Sequence, residues 1–177
     1  IMGSFLDPLF YIQYLGMRPE WVDMTEILRR MDQGIYDEEE FQRALAWVKE
    51  KCREGHDPNP ASRAHTRQQK DQEWEFVVKM TLIIKDIMQG NEKLSELGFT
   101  EEALGRNALF AGFQGQRMWT DYKPNGDFTE AILNSTFDWN GKRAPFVFAT
   151  ENDNLNGLSM LFGNLLTGKA SGFSDVR

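Results

Sequence analysis

The chain has very little with which to cross-link itself. Cys52 is the single cysteine in 177 residues, which excludes an internal disulfide and fits a reduced, cytoplasmic setting. With no second cysteine to pair with and a place on the apolar face that follows Phe41, it reads as a small buried hydrophobe rather than a reactive thiol. There are two histidines, His56 and His65; they flank a polar loop and read as solvent-exposed side chains rather than metal ligands. No apolar run approaches the ~20 residues that a membrane span requires. Positive charge is also short: 20 Lys and Arg face 27 Asp and Glu, for a net charge of −7 and a pI near 4.9. Such a balance excludes the clustered cationic surface that nucleic-acid phosphates need. Gly112 and Gly115 do not make the three-glycine fingerprint of a dinucleotide site. Repeats and low-complexity tracts are missing as well. A secretory leader and an initiator methionine are not seen at Ile1, and the chain stops after a strand-like segment, so it reads as a piece of something longer.

What is present fits one α/β domain with enough chain for a proper core. Asp7-Pro8 opens a short helix that Gly16 closes. Residues 20–24 form a first strand candidate, and Thr25 can cap the helix that carries Ile27, Leu28 and Met31 as far as Gly34. Asp37 and Glu40 have the spacing of a capping box, before an apolar face of Phe41, Ala44, Leu45 and Val48. A loop at 55–62 leads to a long helix at 63–89, apolar on most sides and stopped by Gly90. Short helical turns are expected at 92–97 and from Ala103. Residues 107–113 have the length and apolar content of a buried strand, although Ala and Gly weaken it. Pro124-Asn125-Gly126-Asp127 is a turn signal, with Asp127 and Glu130 starting a helix that ends at 138–141.

The stretch from 145 to 177 organises the rest. An apolar run, Phe146-Val147-Phe148-Ala149, gives way to Thr150-Glu151-Asn152-Asp153. Then comes a helix with Leu155, Leu158, Leu161, Phe162, Leu165 and Leu166, closed by Gly168, and a last apolar segment ending at Asp175-Val176-Arg177. That order is strand, helix, strand, with Asn152 or Asp153 capping the helix. In open α/β sheets the carboxyl ends of strands are where ligands bind. Gln114, Glu151 and Asp175 each follow a strand candidate, and Glu151 and Asp175 are spaced by the length one crossover needs. An amide and two carboxylates on one sheet edge make a site-like set, and carboxylate oxygens without thiolates favour a hard divalent cation such as Mg²⁺ or Mn²⁺. The plainer alternatives are that Glu151 and Asp153 serve the helix dipole and that Asp175 is a satisfied turn residue. The expected fold class is α/β, an open, mainly parallel sheet flanked by helices in a Rossmann-like or flavodoxin-like layering.

Longer words then carry a resemblance. GFQGQRMWTD at 112–121, PNGDFTEAILNSTFDWNG at 124–141 and FATENDNLNGLSMLFGNLLTG at 148–168, with the closing FSDVR, resemble the L-fucose isomerase family. LGM at 15–17, WVDMTEILRR at 21–30 and MQGNEKL at 88–94 do so too, so the likeness spans nearly the whole chain. It implies a hexameric, Mn²⁺-dependent aldose-ketose isomerase that interconverts L-fucose with L-fuculose and also accepts D-arabinose, giving D-ribulose. The resemblance assigns metal binding and acid-base chemistry to Glu151 and Asp175, and substrate contact to Gln114.

The third protein ligand of that family is a histidine in a following domain, and neither His56 nor His65 lies in a matching motif. The resemblance therefore makes residues 1–168 a central α/β domain and 169–177 a strand leading into a domain beyond this chain. By itself the piece is expected to be inactive. The alternative is a non-catalytic module for sugar binding or oligomer assembly, in which Gln114, Asn152 and the acidic strand ends hydrogen-bond hydroxyls without metal.

Overall fold

The structure is a computed structural model and describes residues 7–113, 123–149, 151 and 153–172. It is a mixed α/β arrangement, about half helical. Seven helices are present among the described residues: α1 (Pro8–Leu15), α2 (Met24–Asp32), α3 (Glu38–Lys51), α4 (Arg67–Gln89), α5 (Glu92–Glu96), α6 (Asp127–Leu133) and α7 (Asn154–Thr167). Four short strands accompany them: β1 (Ala111–Gly112), β2 (Phe137–Asp138), β3 (Gly141–Lys142) and β4 (Phe148–Ala149).

Capping chemistry explains where most helices begin. Asp7 accepts the Leu9 N–H at 2.8 Å and Pro8 takes the first helical position, while Gly16, at φ 64°, closes α1 in the left-handed region that glycine adopts most readily. The cap of α2 is Asp23, which accepts the Thr25 N–H at 2.8 Å. That corrects the expectation of a strand over 20–24 followed by a Thr25 cap: Met24 is drawn into the helix, and residues 20–23 join no ladder among the described residues. The capping-box spacing of Asp37 and Glu40 is only half used. Asp37 accepts the N–H groups of Glu39 and Glu40, whereas the Glu40 side chain turns inward to other partners. A reciprocal box sits instead at Thr66 and Gln69, so α4 starts later than the expected residue 63. The turn from residue 100 does not grow into a helix at Ala103.

The centre of the molecule is α4, against which α2, α3 and α6 pack. Val78, Met80, Leu82 and Ile83 on this helix are at most 1% exposed, and they meet Ile27, Phe41, Ala44, Val48 and Leu133 in one core. Each such side chain contributes about 1.5–3 kcal/mol by leaving water. The contact with α6 also holds a hydroxyl pair, with Thr81 Oγ1 2.9 Å from Thr129 Oγ1 and both residues fully buried.

β1 and β4 pair in parallel, with Ala111 opposite Phe148 and Gly112 opposite Ala149. Alternation from Val147 into β4 divides successive side chains between two cores. Phe148 joins the α4 core and Val147 joins a smaller cluster with Met160 and Leu161 of α7. Helices thus cover both faces of the parallel pair, the layering that buried parallel strands require. β2 and β3 form an antiparallel hairpin where the sequence suggested only the end of a helix. Among the described residues the parallel sheet is this one pair of strands.

Candidate functional site

Two features fix the end of β4. On one side Val147 O accepts the Ala111 N–H at 3.0 Å. On the other, the Asn134 amide accepts the Phe148 N–H at 2.9 Å and donates to the Phe148 carbonyl at 2.7 Å. A side chain standing just beyond α6 therefore does what a neighbouring strand would do. α6 is itself held by Arg143 on the hairpin. Its guanidinium donates to the carbonyls of Ile132 and Ser135 at 2.6 and 2.9 Å and pairs with Asp138 at 2.6 Å. A cation on the last carbonyls of a helix offsets both the unmet acceptors and the helix dipole.

Glu151 comes two residues after β4 ends, is half-buried, and has φ 52°. A non-glycine residue in the left-handed region costs about 1 kcal/mol or more and is retained when the surroundings demand it. Immediately beyond, Asp153 accepts the Asn156 N–H at 3.4 Å and the Asn156 amide at 3.0 Å, starting α7. The first turn of α7 lies directly on the strands. A Cβ at Gly157 would come within 2.9 Å of the Phe110 ring and 3.2 Å of Ala149 Cβ, so only glycine lets the helix approach so closely. The N-terminus of α7 and the carboxyl end of β4 thus converge beside Glu151, the place the sequence reading assigned to a site.

The parallel register sends both strands out at one edge of the sheet, so Gly112 and Ala149 end level with each other. Gln114, Asn152 and Asp175 lie outside the described residues, as does the end of the strand expected over 169–177. Among the described residues no group of three or more His, Cys, Asp or Glu side chains could hold a metal ion. The donor chemistry present is nonetheless of the right kind for a hard cation. Glu151 supplies carboxylate oxygens at the sheet edge, and the only thiol, Cys52, sits half-buried at the end of α3 with its pKa raised by burial. His65 pairs with Glu73 at 2.5 Å on an exposed surface.

A polar centre that the sequence reading missed is buried between α3, α4 and the hairpin. Glu40 Oε1 accepts from Lys85 Nζ, from Trp139 Nε1 at 2.9 Å and from Asn140 Nδ2 at 3.0 Å. Burial pushes the Glu40 carboxyl up, but the Lys85 charge and the three donors outweigh it and leave the pKa below the usual range. The spacing of these residues in sequence gives no hint of their meeting; the one available signal was that Glu40 and Lys85 stand on otherwise apolar helix faces. Next to Lys85, Asp86 is 1% exposed, and burial raises its pKa to about 6.

The fold defines a mixed α/β domain in which Glu151 follows the carboxyl end of one strand of a parallel pair. Comparison with known proteins gives the family. The family model described as L-fucose isomerase, second N-terminal domain, matches residues 1–168. The L-fucose isomerase of Bacteroides fragilis (strain YCH46) is 62% identical over 179 residues, covering 100% of this chain and 30% of that protein. The L-fucose isomerases of Vibrio vulnificus (strain YJ016) and Streptococcus pneumoniae (strain P1031) are each 62% identical over 177 residues, with the same shares covered. The chain belongs to the L-fucose isomerase family and spans about 30% of the length of these curated relatives.

Proposed function

We propose that this chain is the central α/β part of an L-fucose isomerase, an aldose-ketose isomerase that interconverts L-fucose with L-fuculose and D-arabinose with D-ribulose. The observation that carries the reading is the 62% identity to L-fucose isomerases across the entire chain. The position of Glu151, at the end of a parallel strand and in a costly backbone conformation, supports a role for its side chain in the site. In the longer protein the parallel pair would belong to an open, mainly parallel sheet, a reading supported by the helices on both of its faces.

The chemistry proposed is proton transfer between C2 and C1 of the sugar through an ene-diol. Glu151 and Asp175 would hold a Mn²⁺ ion, with a histidine from a following domain as third ligand, and such an ion polarises the carbonyl and acidifies the adjacent C–H. The two carboxylates would also move the proton, one accepting it while the other donates. Gln114 would orient the substrate by hydrogen bonds to its hydroxyls. The chain alone lacks the third ligand and is proposed to be inactive.

Assembly is the second role, and it has its own support. Leu155, Phe162, Leu165 and Leu166 on α7 are between 48% and 86% exposed, an apolar strip that suits a homo-oligomer, proposed as a hexamer. No helix of the described residues is long and apolar enough to cross a membrane, and the proposed setting is cytoplasmic. The test is ketose formation from L-fucose by the full-length protein with Mn²⁺ supplied. Glu151→Gln should lower kcat by roughly 10²–10⁴ and weaken Mn²⁺ binding in calorimetry. A variant that keeps both its rate and its metal affinity would leave only the binding or assembly role.

A further inference from the structure

We infer that Arg143 is a positioning residue for the isomerisation: it fixes the end of α6 and thereby, through Asn134, the strand end from which Glu151 follows. This role rests on the reading that Glu151 acts on the sugar. The contacts of the Arg143 guanidinium carry it. Nε donates to Asp138 Oδ2 at 2.6 Å. One terminal nitrogen donates to Ile132 O at 2.6 Å; the other donates to Ser135 O and Ala144 O at 2.9 Å each, and to Leu133 O at 3.3 Å. Cζ lies over the Phe146 ring, 5.0 Å from its centre.

The carbonyls of Ile132, Leu133 and Ser135 bracket Asn134, so the guanidinium grips the turn from which that side chain projects. Asn134 in turn holds both backbone polar groups of Phe148. The Leu133 carbonyl also accepts the Phe146 N–H at 2.9 Å, which ties the chain entering β4 to the same turn. One side chain therefore sets the last turn of α6, the entry to β4 at Phe146 and, through Asn134, the strand itself at Phe148. Glu151 lies only a little further along the chain.

Arg143 is itself held from behind. Asp138 is buried and also accepts the Asn140 N–H at 2.8 Å. The hairpin that carries Asp138 is pinned to α3 by Glu40, which accepts from Trp139 Nε1 and Asn140 Nδ2 and pairs with Lys85 of α4. Capping a helix C-terminus needs only a cation near the last carbonyls. A guanidinium with a 19% exposed side chain, locked by a buried carboxylate, goes beyond that need and is what accurate placement requires. Lysine could not replace it, because three donors on one atom cannot span Asp138 and carbonyls on several sides at once. Misplacing a reacting group by about 1 Å costs on the order of a hundredfold in rate, so loosening Arg143 should appear in kcat rather than in KM.

The test is a double-mutant cycle of Arg143→Lys with Glu151→Gln in the full-length holoenzyme, read by L-fucose isomerisation and by hydrogen exchange at Phe148. Arg143→Lys should lower kcat about 10–100-fold with KM within about threefold of the parent, and should speed Phe148 exchange at least about tenfold. In the Glu151→Gln background the same change should alter kcat by less than about twofold, because the group it places is already gone. Val48→Ala, in the α3–α4 core, should lower the thermal midpoint yet keep kcat, which separates placement from general destabilisation. If Arg143→Lys does not fold, Asp138→Asn takes its place in the cycle and should show the same pattern at about three- to tenfold in kcat. Equal losses in the two backgrounds, unchanged Phe148 exchange, or a matching kcat loss in Val48→Ala would each overturn the role of Arg143 while leaving Glu151 in the site. A Glu151→Gln protein with the parental rate would instead overturn the functional reading, and the role of Arg143 with it.

Discussion

Asn134 holds both backbone polar groups of Phe148, accepting its N–H at 2.9 Å and donating to its carbonyl at 2.7 Å. The same amide nitrogen donates to the Glu130 carbonyl at 2.9 Å, so this one side chain joins α6 to β4 at Phe148, a short step along the chain before Glu151. Truncation would leave a buried N–H and a buried C=O without partners. Asn134→Ala should therefore cost about 2–4 kcal/mol and speed exchange of the Phe148 amide in the full-length protein. Asn134→Asp keeps the acceptor but loses the donor and sets a carboxylate against two carbonyls, so it should do no better. An unchanged Phe148 exchange rate in the alanine variant would show that the neighbouring packing alone fixes β4.

Asp86 predicts an unusual pH response. Its carboxyl is buried, with Oδ1 lacking a hydrogen-bond partner and Oδ2 3.2 Å from the Asn91 amide. The charged groups facing it are Lys85 on the same helix, Glu40 on α3 and Arg30 on α2; burial, aided by the Glu40 charge, prevails over the Asn91 hydrogen bond and the two cations and raises the pKa from 3.8 to about 6. A raised carboxyl pKa means the folded state binds the proton more tightly. Its contribution is thus fully present below pH ~4 and is lost as pH rises through about 6. Asp86→Asn should remove this dependence, raising stability at pH 7–8 by on the order of 1–3 kcal/mol. Denaturant midpoints of variant and parent, measured from pH 4 to 8, should converge at the acid end. Midpoints that differ by the same amount at every pH would refute the assignment.

Glu40 should respond with the opposite sign. Its folded pKa is lowered, so its contribution is present above the usual carboxylate value of 4.5 and is lost as pH falls below it. Breaking the buried pair from one side should be severe. Lys85→Met leaves Glu40 charged among Trp139 and Asn140, at a cost of roughly 3–5 kcal/mol. Glu40→Leu combined with Lys85→Met should recover much of that loss, because no unpaired charge remains. A double variant as unstable as the sum of the two single changes would mean that the pair is not coupled.

How much of this was legible in the residues depended on range. Local signals worked: Asp7, Asp153, Gly16, Gly90 and Gly168 stand at helix ends as their chemistry requires. The strand segments at 107–113 and 145–149 were readable from apolar runs, but not that they pair with each other, and only Ala111–Gly112 and Phe148–Ala149 form the ladder. Residues 20–24 failed as a strand because a strand is defined by its partner, and the described residues offer none beside them. The Glu40 centre was illegible for a related reason. Lys85, Trp139 and Asn140 reach it across 45 to 100 positions of chain, and periodicity carries no record of such a meeting. The carboxylate at the end of β4 was found because it follows an apolar run directly, but the left-handed backbone that presents it was not foreseen.

That backbone gives the sharpest test of Glu151. At φ 52° a glutamate is held where glycine would sit without strain. If the side chain were ornamental, glycine would be the better residue, so the pair of substitutions separates structure from chemistry. In the full-length protein Glu151→Gly should keep or slightly raise the thermal midpoint, by an amount worth up to about 1 kcal/mol, while isomerisation falls as far as in Glu151→Gln. Glu151→Val, β-branched and strained at this φ, should lose both stability and rate. A glycine variant that is markedly less stable than the parent would show that Glu151 is kept for packing, and one that still turns over L-fucose would remove it from the site.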